Sequence, residues 1–118
     1  MAKCDEGYLC QICGEEVKGI TQSDLYLRFV IGRVDPETLH LQPERHIRCN
    51  PSLAQFIDAP GFSGLSVPAG FAKSDLDQDY VQVESELVTR GFLRLKEVSV
   101  SKLPILEYPL AEFRNKYR

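Results

Sequence analysis

Two short stretches set the terms on which this chain can fold: Cys10-Gln11-Ile12-Cys13-Gly14 and His46-Ile47-Arg48-Cys49-Asn50. Each carries two metal-ligating side chains separated by two residues, a spacing at which one tight turn directs both at a single ion. Two such pairs in one small chain predict a tetrahedral site built from Cys10, Cys13, His46 and Cys49. Zinc is the expected ion, because it takes thiolate and imidazole together and imposes no geometric preference of its own. Gly14 supports the first pair, since a turn of this kind needs a residue that tolerates positive φ.

The chain has four cysteines in 118 residues, the fourth being Cys4. No secretion signal precedes them, and two are nearly adjacent, so reduced metal ligands fit better than a disulfide framework. Cys4 is a possible substitute for His46, and four thiolates would also suit an iron–sulfur cluster, although Cys-x5-Cys-x2-Cys is not a usual cluster spacing. His40 reads as a solvated residue near the site and not as a ligand.

Taken in order, Leu25 to Val34 alternates apolar residues with others and reads as a strand. A competing reading makes the same stretch a helix capped by Thr21 or Ser23 and ended by Gly32. The strand is preferred because Asp35-Pro36-Glu37-Thr38 looks like a type I turn and Leu39-His40-Leu41 resumes the alternation, which together predict a β-hairpin. After Cys49, Asn50 and Pro51 predict the start of a short helix ending before Pro60. Residues 58–73 are rich in Gly, Pro, Ser and Ala and read as a linker or long loop. Ser74 to Arg90 predicts an amphipathic helix closed by Gly91, followed by a strand over residues 92–100 and a last short helix from Leu110 to Tyr117.

A knuckle, a hairpin and a helix that opens at the second ligand pair resembles the architecture of treble-clef zinc fingers over residues 8–57. That resemblance implies a structural zinc held by Cys10, Cys13, His46 and Cys49. The expected fold class is therefore α+β: a zinc-stabilised treble-clef-like module over residues 1–57, the loop at 58–73, and a helix–strand–tail extension over 74–118 packed on the first module.

Chemistry beyond the site is sparse. Asp75, Asp77, Asp79 and Glu86 follow part of a calcium-loop pattern, but Tyr80 stands where that loop needs glycine, so an acidic first helical turn is the better account. No phosphate loop, Gly-x-Ser-x-Gly elbow or His-Glu-x-x-His motif is present, and two complete ligand pairs predict a closed metal site. A non-enzymatic interaction or adaptor module is expected, with a protein partner ahead of nucleic acid. From Arg90 onward the chain carries seven basic residues against three acidic ones. The nucleic-acid alternative, a regulatory protein, would use Arg28, Arg33, Arg45, Arg48, Arg90, Arg94 and Lys96. The corner from Glu84 to Leu95 resembles the end of a winged-helix recognition helix, a pattern shared by any helix–glycine–strand corner. A zinc- or cysteine-dependent enzyme is the second alternative. The longest clearly apolar run, Phe29-Val30-Ile31, is too short to span a bilayer, and residues 1–6 carry no import or secretion character, so a cytoplasmic location is expected.

Overall fold

The computed structural model of the protein describes residues 9–59, 61–62 and 65–114. Four α-helices carry the architecture: α1 (Asp24–Val30), α2 (Pro51–Ala54), α3 (Gln78–Ser99) and α4 (Ala111–Arg114), joined by 3₁₀ turns and irregular chain. Among the described residues there is no β-strand, only two isolated antiparallel bridges, Leu9 with Glu16 and Ser23 with His46. The expected α+β class and the β-hairpin are thus overturned, and the fold is helical.

The segment expected to form the first strand is α1. Ser23 caps it, its hydroxyl accepting from the Tyr26 N–H at 3.0 Å, and Gly32 follows with φ +80°. These are the start and stop signals of a helix. The alternation misled because α1 is buried on almost every side: only Arg28 of its seven residues reaches solvent appreciably. A helix enclosed all round has no polar face, so its periodicity cannot separate it from a buried strand. The turn at Asp35–Thr38 does form, with Thr38 N–H donating to the Asp35 carbonyl at 3.0 Å, but it leads into a 3₁₀ turn at Leu39–Leu41 and not into a strand.

The second expected strand, residues 92–100, belongs to α3. This helix begins at Asp77, whose carboxylate accepts from the Tyr80 N–H at 3.1 Å, three residues later than the expected Ser74 cap. It then runs through Gly91 without a break. Its inward stripe is Glu84, Val88, Gly91, Phe92, Leu95 and Val98. Gly91 is needed there for contact and not for termination. A Cβ at this position would stand 2.4 Å from Ile31 Cγ2 and 3.2 Å from Leu27 Cδ1. The missing side chain lets α3 pass close over α1, and the core forms around that crossing, with Leu25, Phe29, Val30, Ile47 and Ala54 buried beside it.

Polar ties fasten the irregular chain to this core. Arg33 donates to both oxygens of the buried Glu84 at 2.7 and 2.5 Å, which joins the loop after α1 to α3. Gln55 donates to the Ser52 and Phe71 carbonyls and accepts from the Lys73 N–H, so the chain at 71–73 lies against the end of α2. Arg94 donates to the carbonyls of Glu107 and Tyr108 and holds the C-terminal segment on α3. Leu110 N–H donates to the Val30 carbonyl at 3.0 Å, and the Phe113 ring of α4 covers Gly32. The expected last helix is present over Ala111–Arg114, and its continuation to Tyr117 lies outside the described residues. Within those residues no helix is long and apolar enough to cross a membrane.

Candidate metal centre

The first ligand pair sits on a knuckle whose ends are closed by the Leu9–Glu16 bridge. Cys10 N–H donates to the Glu15 carbonyl at 2.8 Å and Gly14 N–H to the Cys10 carbonyl at 2.9 Å. Gly14 has φ +79°, the left-handed conformation that its position between the ligands and the bridge requires. The tightness of this turn turns backbone donors inward: the Ile12 N–H lies 3.4 Å from Cys10 Sγ.

The second pair arrives from a different direction. Residues Ile47–Cys49 form a 3₁₀ turn that runs directly into α2, where Pro51 occupies the first turn, a place where its missing N–H costs nothing. The helix opens where the sequence predicts, but the Asn50 side chain binds Asp24 and makes no cap bond, and the helix ends at Ala54, short of the expected Pro60. The turn brings Cys49 back towards His46, and the His46 N–H donates to Cys10 Sγ at 3.4 Å. The two knuckles therefore lock together through backbone as well as through ligands.

The ligating atoms of Cys10, Cys13, His46 and Cys49 all lie within 4.8 Å of one another. Four donors at this separation can hold one metal ion. His46 Nδ1 is 3.3 Å from Cys13 Sγ and 3.8 Å from Cys49 Sγ. The other ring nitrogen, Nε2, lies 2.9 Å from the Glu16 carbonyl. A carbonyl oxygen only accepts, so Nε2 carries a proton, and in the neutral ring the Nδ1 lone pair points at the sulfurs. Orientation of a ligand histidine by a backbone carbonyl is a recurrent feature of metal sites.

The sulfurs differ in their electrostatics. Burial acts to raise the Cys10 thiol, but the N–H groups of Cys13, His46 and Ile12 directed at its sulfur outweigh burial and bring it from 9.0 to about 6. Burial pushes Cys49 the other way, to about 12, with the neighbouring Cys10 and Cys13 sulfurs adding to the rise. A cluster of this kind holds negative charge at one corner and a retained proton at another until a cation replaces that proton.

His40 stays out of the cluster, on the exposed turn after the Asp35–Thr38 bend. Cys4, the possible substitute ligand, lies outside the described residues. Asp24, which the sequence reading does not single out, holds the second candidate ligand pair in place. Its carboxylate, fully buried at the head of α1, accepts from Arg28 Nε at 2.9 Å, Arg45 Nε at 2.7 Å and Asn50 Nδ2 at 2.9 Å. Arg45 and Asn50 are the residues immediately flanking the second ligand pair. The signal was available: an aspartate next to a capping serine at the start of an otherwise apolar helix needs buried partners.

A cavity of about 370 Å³ opens beside the centre, with Cys13, His46, Cys49, Thr21, Ile47 and Phe62 among its walls. The chain matches no known family model, and neither a characterised protein nor a solved structure matches it.

Proposed function

We propose that this protein is a small zinc-binding module in which Cys10, Cys13, His46 and Cys49 hold a structural ion, and that it acts by binding another protein and not as an enzyme. The observation that carries this reading is the His46 ring, with Nδ1 turned to two sulfurs and Nε2 fixed by the Glu16 carbonyl. In a tetrahedral zinc site of three thiolates and one imidazole, sulfur-to-nitrogen edges measure about 3.5 Å, from bond lengths near 2.3 and 2.0 Å. The separations of 3.3 and 3.8 Å bracket that edge. Four protein donors also fill the coordination shell, which is the mark of a structural site in preference to a catalytic one.

The preference for a protein partner rests on where the arginines go. Arg28 and Arg45 pair with Asp24, Arg33 with Glu84, Arg90 with Glu112 and Arg94 with Glu97. Arg48 donates to the Gly61 carbonyl. Six of the seven basic side chains named for the nucleic-acid alternative, all but Lys96, are thus engaged within the fold, whereas Ile12 in the knuckle and Leu9 at its closing bridge expose apolar surface.

One preparation tests both parts. Metal analysis of the purified protein should give one zinc per chain, and removal by a chelator should lower the midpoint of chemical unfolding strongly; an unchanged midpoint after zinc removal overturns the structural role. Binding to duplex or single-stranded nucleic acid at low salt should be absent, and strong binding that weakens steeply with added salt overturns the partner assignment.

A further inference from the structure

The four ligands are unequally sheltered. Cys10 is buried, and its sulfur receives the Ile12 and His46 N–H groups, whereas Cys49 is half-buried and Cys13 is exposed. The cavity beside the centre sharpens this difference. Its wall includes Cys13, His46 and Cys49 but not Cys10, and is completed by the apolar Ile47 and Phe62, whose ring packs on Phe92 at 4.9 Å, together with the polar Glu15, Thr21, Gln22 and Arg48. At about 370 Å³ it admits a molecule of several heavy atoms directly to the Cys13 sulfur. A thiolate reached by small molecules and placed beside a second thiolate is the arrangement in which peroxide oxidation becomes site-selective.

On the reading that these residues hold zinc, we propose that Cys13 is an oxidation site through which hydrogen peroxide or a small organic hydroperoxide opens the centre and releases the ion. The Cys13 thiolate attacks one peroxide oxygen. The O–O bond breaks, hydroxide or alkoxide leaves, and Cys13 becomes a sulfenic acid. Cys10 Sγ, within 4.8 Å and on the same turn, then attacks the Cys13 sulfur. The S–O bond breaks, hydroxide leaves, and a Cys10–Cys13 disulfide forms. The two thiolates lose two electrons to the peroxide, and solvent protons neutralise the departing anions. Only His46 and Cys49 then remain for the zinc, which dissociates. A dithiol reductant reverses the change.

The test uses the intact zinc-loaded protein treated with less than one equivalent of hydrogen peroxide. Dimedone trapping with peptide mass spectrometry locates the first sulfenic acid, and a chromogenic chelator follows the zinc. The expected result is first labelling at Cys13, a Cys10–Cys13 disulfide when dimedone is omitted, and zinc release in parallel. A Cys13→His variant, which keeps a fourth ligand but removes the oxidisable sulfur, should slow peroxide-driven release at least tenfold. First labelling at Cys10 or Cys49, or zinc retained after Cys13 is oxidised, overturns the proposal even if the variant does not fold. Protein that carries no zinc before treatment overturns the metal reading itself and this proposal with it, whereas the other failures leave that reading intact.

Discussion

Asp24 accepts a hydrogen bond from Arg45 Nε at 2.7 Å, and Arg45 is the residue directly before the candidate ligand His46. The Asp24 N–H donates in turn to the Arg45 carbonyl at 2.9 Å. The head of α1 is therefore fastened, by side chain and by backbone, to the chain that delivers the second half of the candidate metal centre. The Asn50 amide, one residue past Cys49, completes the hold from the other side.

Replacing Asp24 with Asn should lower stability by about 3 kcal/mol, the scale for breaking a buried ionic cluster, because two guanidiniums then face an amide. The cost stays near the low end since Arg28 and Arg45 each keep about a quarter of their side-chain surface in water. Denaturant unfolding measures it. Zinc affinity, read by competition with a chelator, should fall together with stability. An Arg28→Met variant, which removes the partner remote from the ligands, should leave that affinity within about twofold if Asp24 acts by positioning.

Gly91→Ala separates intrinsic helix preference from packing. Propensity alone favours alanine by about 1 kcal/mol. The new Cβ, however, would lie 2.4 Å from Ile31 Cγ2, so net destabilisation is the expected outcome. Combining it with Ile31→Ala should recover at least about 1 kcal/mol relative to the sum of the two single changes, since the second substitution removes the obstructing methyl. Additive losses in the double-mutant cycle would show that the crossing does not depend on Gly91.

The metal-free protein should have a pH signature set by its sulfurs. Cys10 titrates near 6 when folded, below its ordinary value of 9.0, so folded protein binds fewer protons than unfolded between those values and stability rises with pH there. Cys49, raised to about 12, keeps its proton when the unfolded thiol has lost it, so its contribution is present below pH 9 and lost as pH climbs from 9 to 12. Together the sulfurs place their maximum contribution near pH 9, measurable by chemical unfolding in a chelator. Zinc binding at neutral pH should release at least about one proton, that of Cys49, which calorimetry in buffers of different ionisation enthalpy counts.

Gln55→Ala removes three hydrogen bonds at once, to the Ser52 and Phe71 carbonyls and from the Lys73 N–H. A loss of about 1–2 kcal/mol is expected, moderate because solvent can reach the released groups near the exposed Phe71. The more specific effect is faster proteolysis within residues 71–73, which this side chain holds against the end of α2. Cleavage concentrated elsewhere would argue against that role.

What could be read from the chain was local. Gly14 in its turn, the Asp35–Thr38 bend and Pro51 at the head of α2 each follow from the preferences of neighbouring residues, and each is present. The spacing within each candidate ligand pair is a property of its local turn, while the meeting of the two pairs rests on long-range contacts such as the His46 N–H on Cys10 Sγ. What failed depended on distant contacts. Leu25 to Val30 looked like a strand because enclosure by the rest of the fold erased the polar face that would have marked a helix. Gly91 looked like a stop because a glycine accommodating a neighbouring helix has the same letter as one ending its own. Ser23 and Gly32 held the right answer for α1, and the turn after them outweighed it.

The order of the candidate ligands and α3 along the chain has a consequence for how the molecule comes to exist. All four ligands have been synthesised once residue 49 is made, while α3, which covers α1, is complete only at residue 99. Between those moments the ribosome has delivered Leu25, Leu27 and Phe29 without their long partner, a stretch prone to sticking to other nascent chains. An ion captured at that stage would tie residue 13 to residue 46 and coil the intervening segment into a closed ring. The metal would then serve first as a chaperone in place of the helix still to be made.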